Sequence, residues 1–149
     1  MKEELNIIPF VSVGEIKFGM TKEEVFELMG EANDLINDLI MNEVRAYYDD
    51  FVLVFIRKRL VDFRFSSETN LENVKIFINN IDLVNTNNII NVLSSLSNSK
   101  PSEEVKGYIN FYGLGICLGG FGKRKINSGK EIRVFSKGRL GYYKIFLEA

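Results

Sequence analysis

Histidine and tryptophan are absent from all 149 residues of this chain, cysteine occurs once and proline twice. Without histidine, Ser-His-Asp and Cys-His catalysis and histidine-held metals are excluded, which removes a favoured general base at neutral pH and the commonest metal ligand together. The lone Cys117 cannot form an internal disulfide, and its place in the apolar run 113–121 marks it as a small core residue rather than a nucleophile. Long hydrophobic runs are missing too. The uncharged stretches 83–99 and 107–122 are interrupted by Asn, Ser or Gly and fall short of the roughly 20 apolar residues that a spanning helix needs. The opening Met1-Lys2-Glu3-Glu4-Leu5 carries acids where a secretory leader has a positive region followed by an apolar one. The expectation is a cytoplasmic protein with no membrane partner.

What remains is ordinary globular material. A hydrophobic fraction of 46% and a charged fraction of 26% suffice for a core without metal or disulfide, and the length fits one domain over residues 1–149. The net charge of -1 conceals polarity: residues 1–75 hold 9 basic and 15 acidic residues, and residues 76–149 hold 10 and 5. Such polarity can steer a charged partner, and it can equally draw the two halves together.

The strongest local signal is Thr21 followed by Glu24, the spacing of a capping box, with Met20 and Val25 placed for a hydrophobic staple. A helix is expected from Thr21 to near Gly30, with Val25, Leu28 and Met29 on its apolar face. Residues 31–43 read as an acidic connection. Blocks of Val, Phe and Tyr over 44–65, broken by Asp49-Asp50 and by Arg57-Lys58-Arg59, predict a three-stranded meander. In its last strand Val61, Phe63 and Phe65 form the buried face toward the helix, and Leu60, Asp62 and Arg64 the wet one. A second helix is predicted over 86–96 from Ile89, Ile90, Leu93 and Leu96, followed by strands over 108–118, 131–136 and 139–147. Residues 136–139 would turn the final hairpin and 119–129 would form a Gly-rich basic loop. Residues 71–82 connect the halves as a helix or a strand.

Helix-then-strands therefore occurs twice. Thr21, Val25 and Leu28 match Thr86, Ile90 and Leu93 at an offset of 65, and Tyr47, Phe51 and Leu53 match Tyr108, Tyr112 and Leu114 at 61. The fold class expected is α+β, with two tandem helix-then-antiparallel-sheet units over about 14–66 and 80–149 whose sheets are free to join into one.

The run Ile16-Lys17-Phe18-Gly19-Met20-Thr21-Lys22-Glu23-Glu24-Val25, with Gly30 closing the helix, resembles the signature of small bacterial repeat domains of the BamE-like and beta-lactamase-inhibitor-protein-like type. Ile8-Pro9 through Gly14-Glu15-Ile16, and Tyr112-Gly113-Leu114-Gly115-Ile116, resemble two-repeat members. The resemblance implies helix-helix-strand-strand-strand units that present a sheet surface to a protein, among them enzyme inhibitors and presumed immunity proteins of toxin systems. Glu31-Ala32-Asn33 replaces the Gly-Pro or Glu-Pro that usually follows the helix.

Candidate chemistry is sparse. Asp49-Asp50 could serve as an acid pair or hard-cation ligand, although adjacent acids on a short turn are usually solvated turn formers. Residues 119–125 lack phosphate-loop spacing, but residues 121–144 carry eight basic residues against one acid, with Phe121, Phe135, Tyr142 and Tyr143 among them. The leading expectation is a non-enzymatic protein-binding module without cofactor or metal, an inhibitor or immunity protein that occludes a toxin or enzyme. Its contact residues would be Tyr47, Tyr48, Asp49 and Asp50, then Lys123, Arg124 and Lys125. The alternative is a nucleic-acid-binding accessory protein using a basic C-terminal hairpin. An enzyme of carboxylate or metal chemistry is the third reading.

Overall fold

Residues 4–96 and 100–148 are described in the computed structural model of the chain. Met1-Lys2-Glu3, which carry the expectation about a leader, and Ser97-Asn98-Ser99, which close the first uncharged stretch, lie outside the described residues. In chain order the elements are β1 (Glu4–Ile8), β2 (Ser12–Val13), β3 (Ile16–Lys17), α1 (Lys22–Met29), β4 (Asp34–Asp38), β5 (Glu43–Tyr47), β6 (Val52–Ile56) and β7 (Arg59–Ser66). Then come β8 (Lys75–Ile78), β9 (Ile81–Asp82), α2 (Ile89–Ser94), β10 (Tyr108–Phe111), β11 (Ile116–Gly119), β12 (Glu131–Phe135) and α3 (Leu140–Glu148). Short 3-10 turns cover Ser67–Thr69, Leu71–Asn73 and Lys137–Arg139.

These elements form an α+β fold with two sheets. The smaller has the order β3-β2-β1-β8-β9, joined at its centre by the parallel pair β1 and β8, and the larger is antiparallel with the order β10-β11-β12-β7-β6-β5-β4. Alternation along each strand sends one set of side chains inward. Phe111, Ile116, Val134, Phe63, Leu53 and Ala46 stand opposite one another across six strands, and all are buried. They pack with Ile7, Val13 and Ile78 of the small sheet, with Val25 of α1 and with Ile89 and Leu93 of α2. Phe63 sits edge-on to Phe18 and Phe51, with ring centroids 5.8 and 6.0 Å apart, and shares one core cluster with Val25 of α1.

The capping box forms as the sequence expects, with the Glu24 amide donating to Thr21 Oγ1 at 3.2 Å and the Thr21 amide donating to Glu24 Oε1 at 3.0 Å. Only Val25 of the expected apolar face is buried, whereas Leu28 and Met29 stay exposed at 51% and 38%, because a helix this short touches the core along one turn. Arg57-Lys58 turns the β6–β7 hairpin with both residues at positive φ, and Asp49-Asp50 lies in the β5–β6 turn.

Five expectations need correction. The acidic connection contains strand β4, paired with β5 from Asp34↔Tyr47 to Asp38↔Glu43. Residues 108–118 are not one strand but the hairpin β10–β11, turned through Gly115 at φ 68°. Residues 139–147 are not a strand: Arg139 ends a 3-10 turn and residues 140–147 lie in α3, so the basic C-terminal hairpin does not exist. The face expected to be wet is covered instead. A bulge between Val54 and Phe55 moves Leu60 to the core face, and α3 lies over Asp62, which is fully buried. The match at an offset of 61 is also out of register with the elements, since Leu53 is mid-strand in β6 and Leu114 sits in the β10–β11 turn.

Candidate protein-binding surface

Five of the ten exposed large apolar side chains among the described residues lie on one element, the β4–β5 hairpin, the others being Ile8, Val11, Leu28, Met29 and Ile145. Asp38 Oδ1 accepts from the amides of Ile40 and Met41, both at 3.0 Å, and Asn42 takes φ 55°, so a locally bonded loop closes the turn. Hairpin tips are ordinarily polar, yet this one carries Leu39, Ile40 and Met41 at 84%, 95% and 47% exposure. Leu35 and Ile36 in β4 add exposures of 44% and 39%, and β4 is the end strand of its sheet, paired among the described residues with β5 alone.

The hairpin is anchored by a chain of charges along the outer sheet face. Arg45 Nη1 donates to Asp38 Oδ2 at 2.9 Å and to Glu43 Oε1 at 3.0 Å, and Arg45 Nε donates to the Tyr47 hydroxyl at 3.0 Å. Glu43 is buried and also faces Arg64 and Arg139, each at 3.7 Å. Those two guanidiniums lie 3.6 and 3.5 Å from Asp62 Oδ2, and the Tyr143 hydroxyl of α3 donates to the same carboxylate at 2.7 Å. A buried carboxylate is retained as a charge only when paired and hydrogen-bonded, and these residues supply both. Burial pushes the Asp62 carboxyl up, against the pull of Arg64, Arg133 and Arg139. At the exposed end, the Met41 amide, then Arg45, hold the Asp38 carboxyl below its usual range. Burial pushes the Cys117 thiol up, which suits a core residue and not a nucleophile.

The residues singled out in sequence fall on two separate patches at one end of the large sheet. Tyr47 and Tyr48 are half-buried rather than exposed: Tyr48 donates to the Gly30 carbonyl at 2.8 Å and its ring packs on Phe51, centroids 5.3 Å apart. Asp49 is exposed and accepts from Asn33 Nδ2 at 2.7 Å, while Asp50 is half-buried. Lys123, Arg124 and Lys125 are exposed on the β11–β12 loop, where the Lys123 and Arg124 amides donate to Glu104 at 2.9 and 2.7 Å. Strand β7 lies between the two, and the midpoints of the loop and the β5–β6 turn are three strand spacings apart, about 14 Å. Sequence reasoning missed Leu35, Ile36, Leu39, Ile40 and Met41. Their signal was present, as apolar pairs and triplets in a stretch read only for its acids.

A cleft of about 470 Å³ between α1 and the β4–β5 and β6–β7 hairpins is lined by Lys22, Glu23, Asn37, Glu43, Phe55 and Lys58. Among the described residues, no three or more Cys, Asp or Glu side chains cluster to hold a metal ion, and no helix is long and apolar enough to cross a membrane. No protein-family model matches the chain, nor does any curated protein or solved structure.

Proposed function

We propose that the protein is a non-enzymatic protein-binding module, of the kind that occludes a toxin or enzyme as an inhibitor or immunity protein does, and that its contact surface is the β4–β5 hairpin. One observation carries the reading: five large apolar side chains, Leu35, Ile36, Leu39, Ile40 and Met41, are held in water by an anchored hairpin. Single exposed hydrophobes are common on monomers, but three in a row at a hairpin tip, continued by Leu35 and Ile36 on the two faces of the edge strand, are characteristic of an interface. The ionic chain from Asp38 to Tyr143 supports it, because an anchored hairpin loses less conformational entropy on binding. The recurrence of a helix followed by antiparallel strands supports the tandem-unit reading as part of this proposal.

The test is a quantitative capture from lysate of the native cells, nuclease-treated and untreated, with the wild type beside the double variant Leu39→Asp/Ile40→Asp. The reading expects a stoichiometric protein recovered by the wild type and lost by the variant. Equal recovery by both removes the hairpin from the contact, and recovery of nuclease-sensitive material alone favours the exposed Lys123-Arg124-Lys125 loop as a nucleic-acid contact.

A further inference from the structure

Resting on the hairpin as the contact surface, we propose that the occupant of β4 is an extended, basic segment of a different polypeptide, which joins the large sheet as an added strand. The β10 edge is already covered, since the Ser102 amide donates to the Asn110 carbonyl at 2.7 Å and the Asn110 amide donates to Ser102 Oγ at 2.8 Å. Among the described residues β4 pairs on its β5 side alone, and Asp34, Leu35, Ile36 and Asn37 are all exposed; the Leu35 amide donates locally to Asp34 Oδ1 at 2.8 Å, a bond that an added strand with a basic residue facing Asp34 would replace. Such an edge offers backbone hydrogen bonds for affinity and alternate side chains for selectivity.

Charge selects the partner. Along the sequence no basic residue lies between Lys22 and Arg45, Arg45 is engaged by Asp38 and Glu43, and Lys22, Arg57 and Lys58 line the cleft at the Asn37 end of β4, away from Asp34. Exposed Glu31 and Asp34 flank the start of β4, and the Asn33–Asp49 hydrogen bond of 2.7 Å brings exposed Asp49 to the same end. The opposite end is the apolar tip of Leu39, Ile40 and Met41. The complementary segment is therefore basic where it meets Asp34 and apolar where it meets the tip. A second copy of this chain is the poorer match: antiparallel self-pairing centred on Ile36, the register that pairs all five residues, sets Asp34 opposite Asp38 on both sides, and directly opposed like charges destabilise a strand pair.

The probes are a capped Lys-Lys-Thr-Val-Thr-Ile-Val peptide, its Glu-Glu counterpart, and two forms of the lysine peptide N-methylated at alternate residues, one in each frame. Titrated into the full chain labelled with ¹⁵N at low salt, the lysine peptide is expected to bind at least tenfold more tightly than the glutamate peptide and to slow amide exchange within 34–38. One N-methylated frame should retain binding and the other lose it, because only one edge of an added strand faces β4. Equal binding of the lysine and glutamate peptides, binding of neither, protection elsewhere, or identical behaviour of the two frames overturns the proposal. If the hairpin variant still loses its captured protein while the peptides fail, strand addition falls and the contact surface stands. If capture ignores the variant, the contact surface itself falls.

Discussion

Tyr143 and Asp62, 81 positions apart in sequence, meet in the buried interior with the phenol oxygen 2.7 and 2.9 Å from the two carboxylate oxygens. The contact ties α3 to β7, and Phe135 stacks on the same ring at a centroid distance of 4.2 Å. Replacing Tyr143 with Phe keeps that stacking and removes a donor from a buried carboxylate. The expected cost is about 1.5–3 kcal/mol in urea denaturation, the range for hydrogen bonds to charged groups. A loss below about 0.5 kcal/mol would mean that water replaces the phenol.

The large sheet's inner face and the α1 surface should respond oppositely to truncation. Phe63 is 1% exposed and packs against Phe18, Phe51 and Phe65, so Phe63→Ala is expected to cost about 3–5 kcal/mol. Leu28, 51% exposed on α1, should tolerate Ala within about 0.5 kcal/mol. Thermal melts of the two variants check both expectations.

Much of this core was legible because strand alternation and turn chemistry coincide. Asp49-Asp50 and Arg57-Lys58 punctuate the β5–β7 meander where sequence reading places them, and Thr21 and Glu24 begin α1. What misled was residues whose neighbours are remote. Residues 139–147 alternate well enough for a strand, but α3 forms because Tyr143 finds Asp62 and Phe135 beneath it, information that lies in β7 and β12. Asp62 and Arg64 read as solvated for the same reason. The apolar residues of β4 were hidden by acids: Asp34 and Asp38 bracket Leu35 and Ile36, and only the pairing with β5 shows that the segment is an edge strand.

Stability should fall on the alkaline limb, whereas on the acid limb Asp38 and Glu24 act against Asp62, whose raised carboxyl favours the folded state as pH falls. Burial first, then Glu131, push the Tyr108 phenol up to about 12 from an ordinary 10, and burial pushes Tyr143 and Tyr48 up as well. The folded state keeps these protons after the unfolded chain releases its own, so their contribution is whole below pH 10 and declines above it, that of Tyr108 being lost as pH rises from 10 to about 12. Tyr108→Phe should make that loss shallower. Asp38 and Glu24 have lowered carboxyls, held by the Met41 and Thr21 backbone amides respectively. Their contribution is present above the unfolded values of 3.8 and 4.5 and disappears as pH falls through the folded ones. Melting temperature against pH, for the wild type and Tyr108→Phe, reads both limbs.

Cys117 is fully buried with its thiol pushed up by desolvation, so an aromatic disulfide reagent at neutral pH should leave it unmodified in native buffer. In urea above the unfolding midpoint one equivalent should react at once. Rapid labelling of the native protein would show that the outer sheet face opens beneath α3.

The account turns on where the protein is touched. Hydrogen–deuterium exchange of the captured complex, compared with the free chain, reads that directly. The expected result is new protection across residues 34–47, centred on β4 and the Leu39–Ile40–Met41 tip, with residues 120–130 unchanged. Protection confined to residues 120–130, with the hairpin exchanging as it does in the free chain, would contradict the assignment of the β4–β5 hairpin as the binding surface.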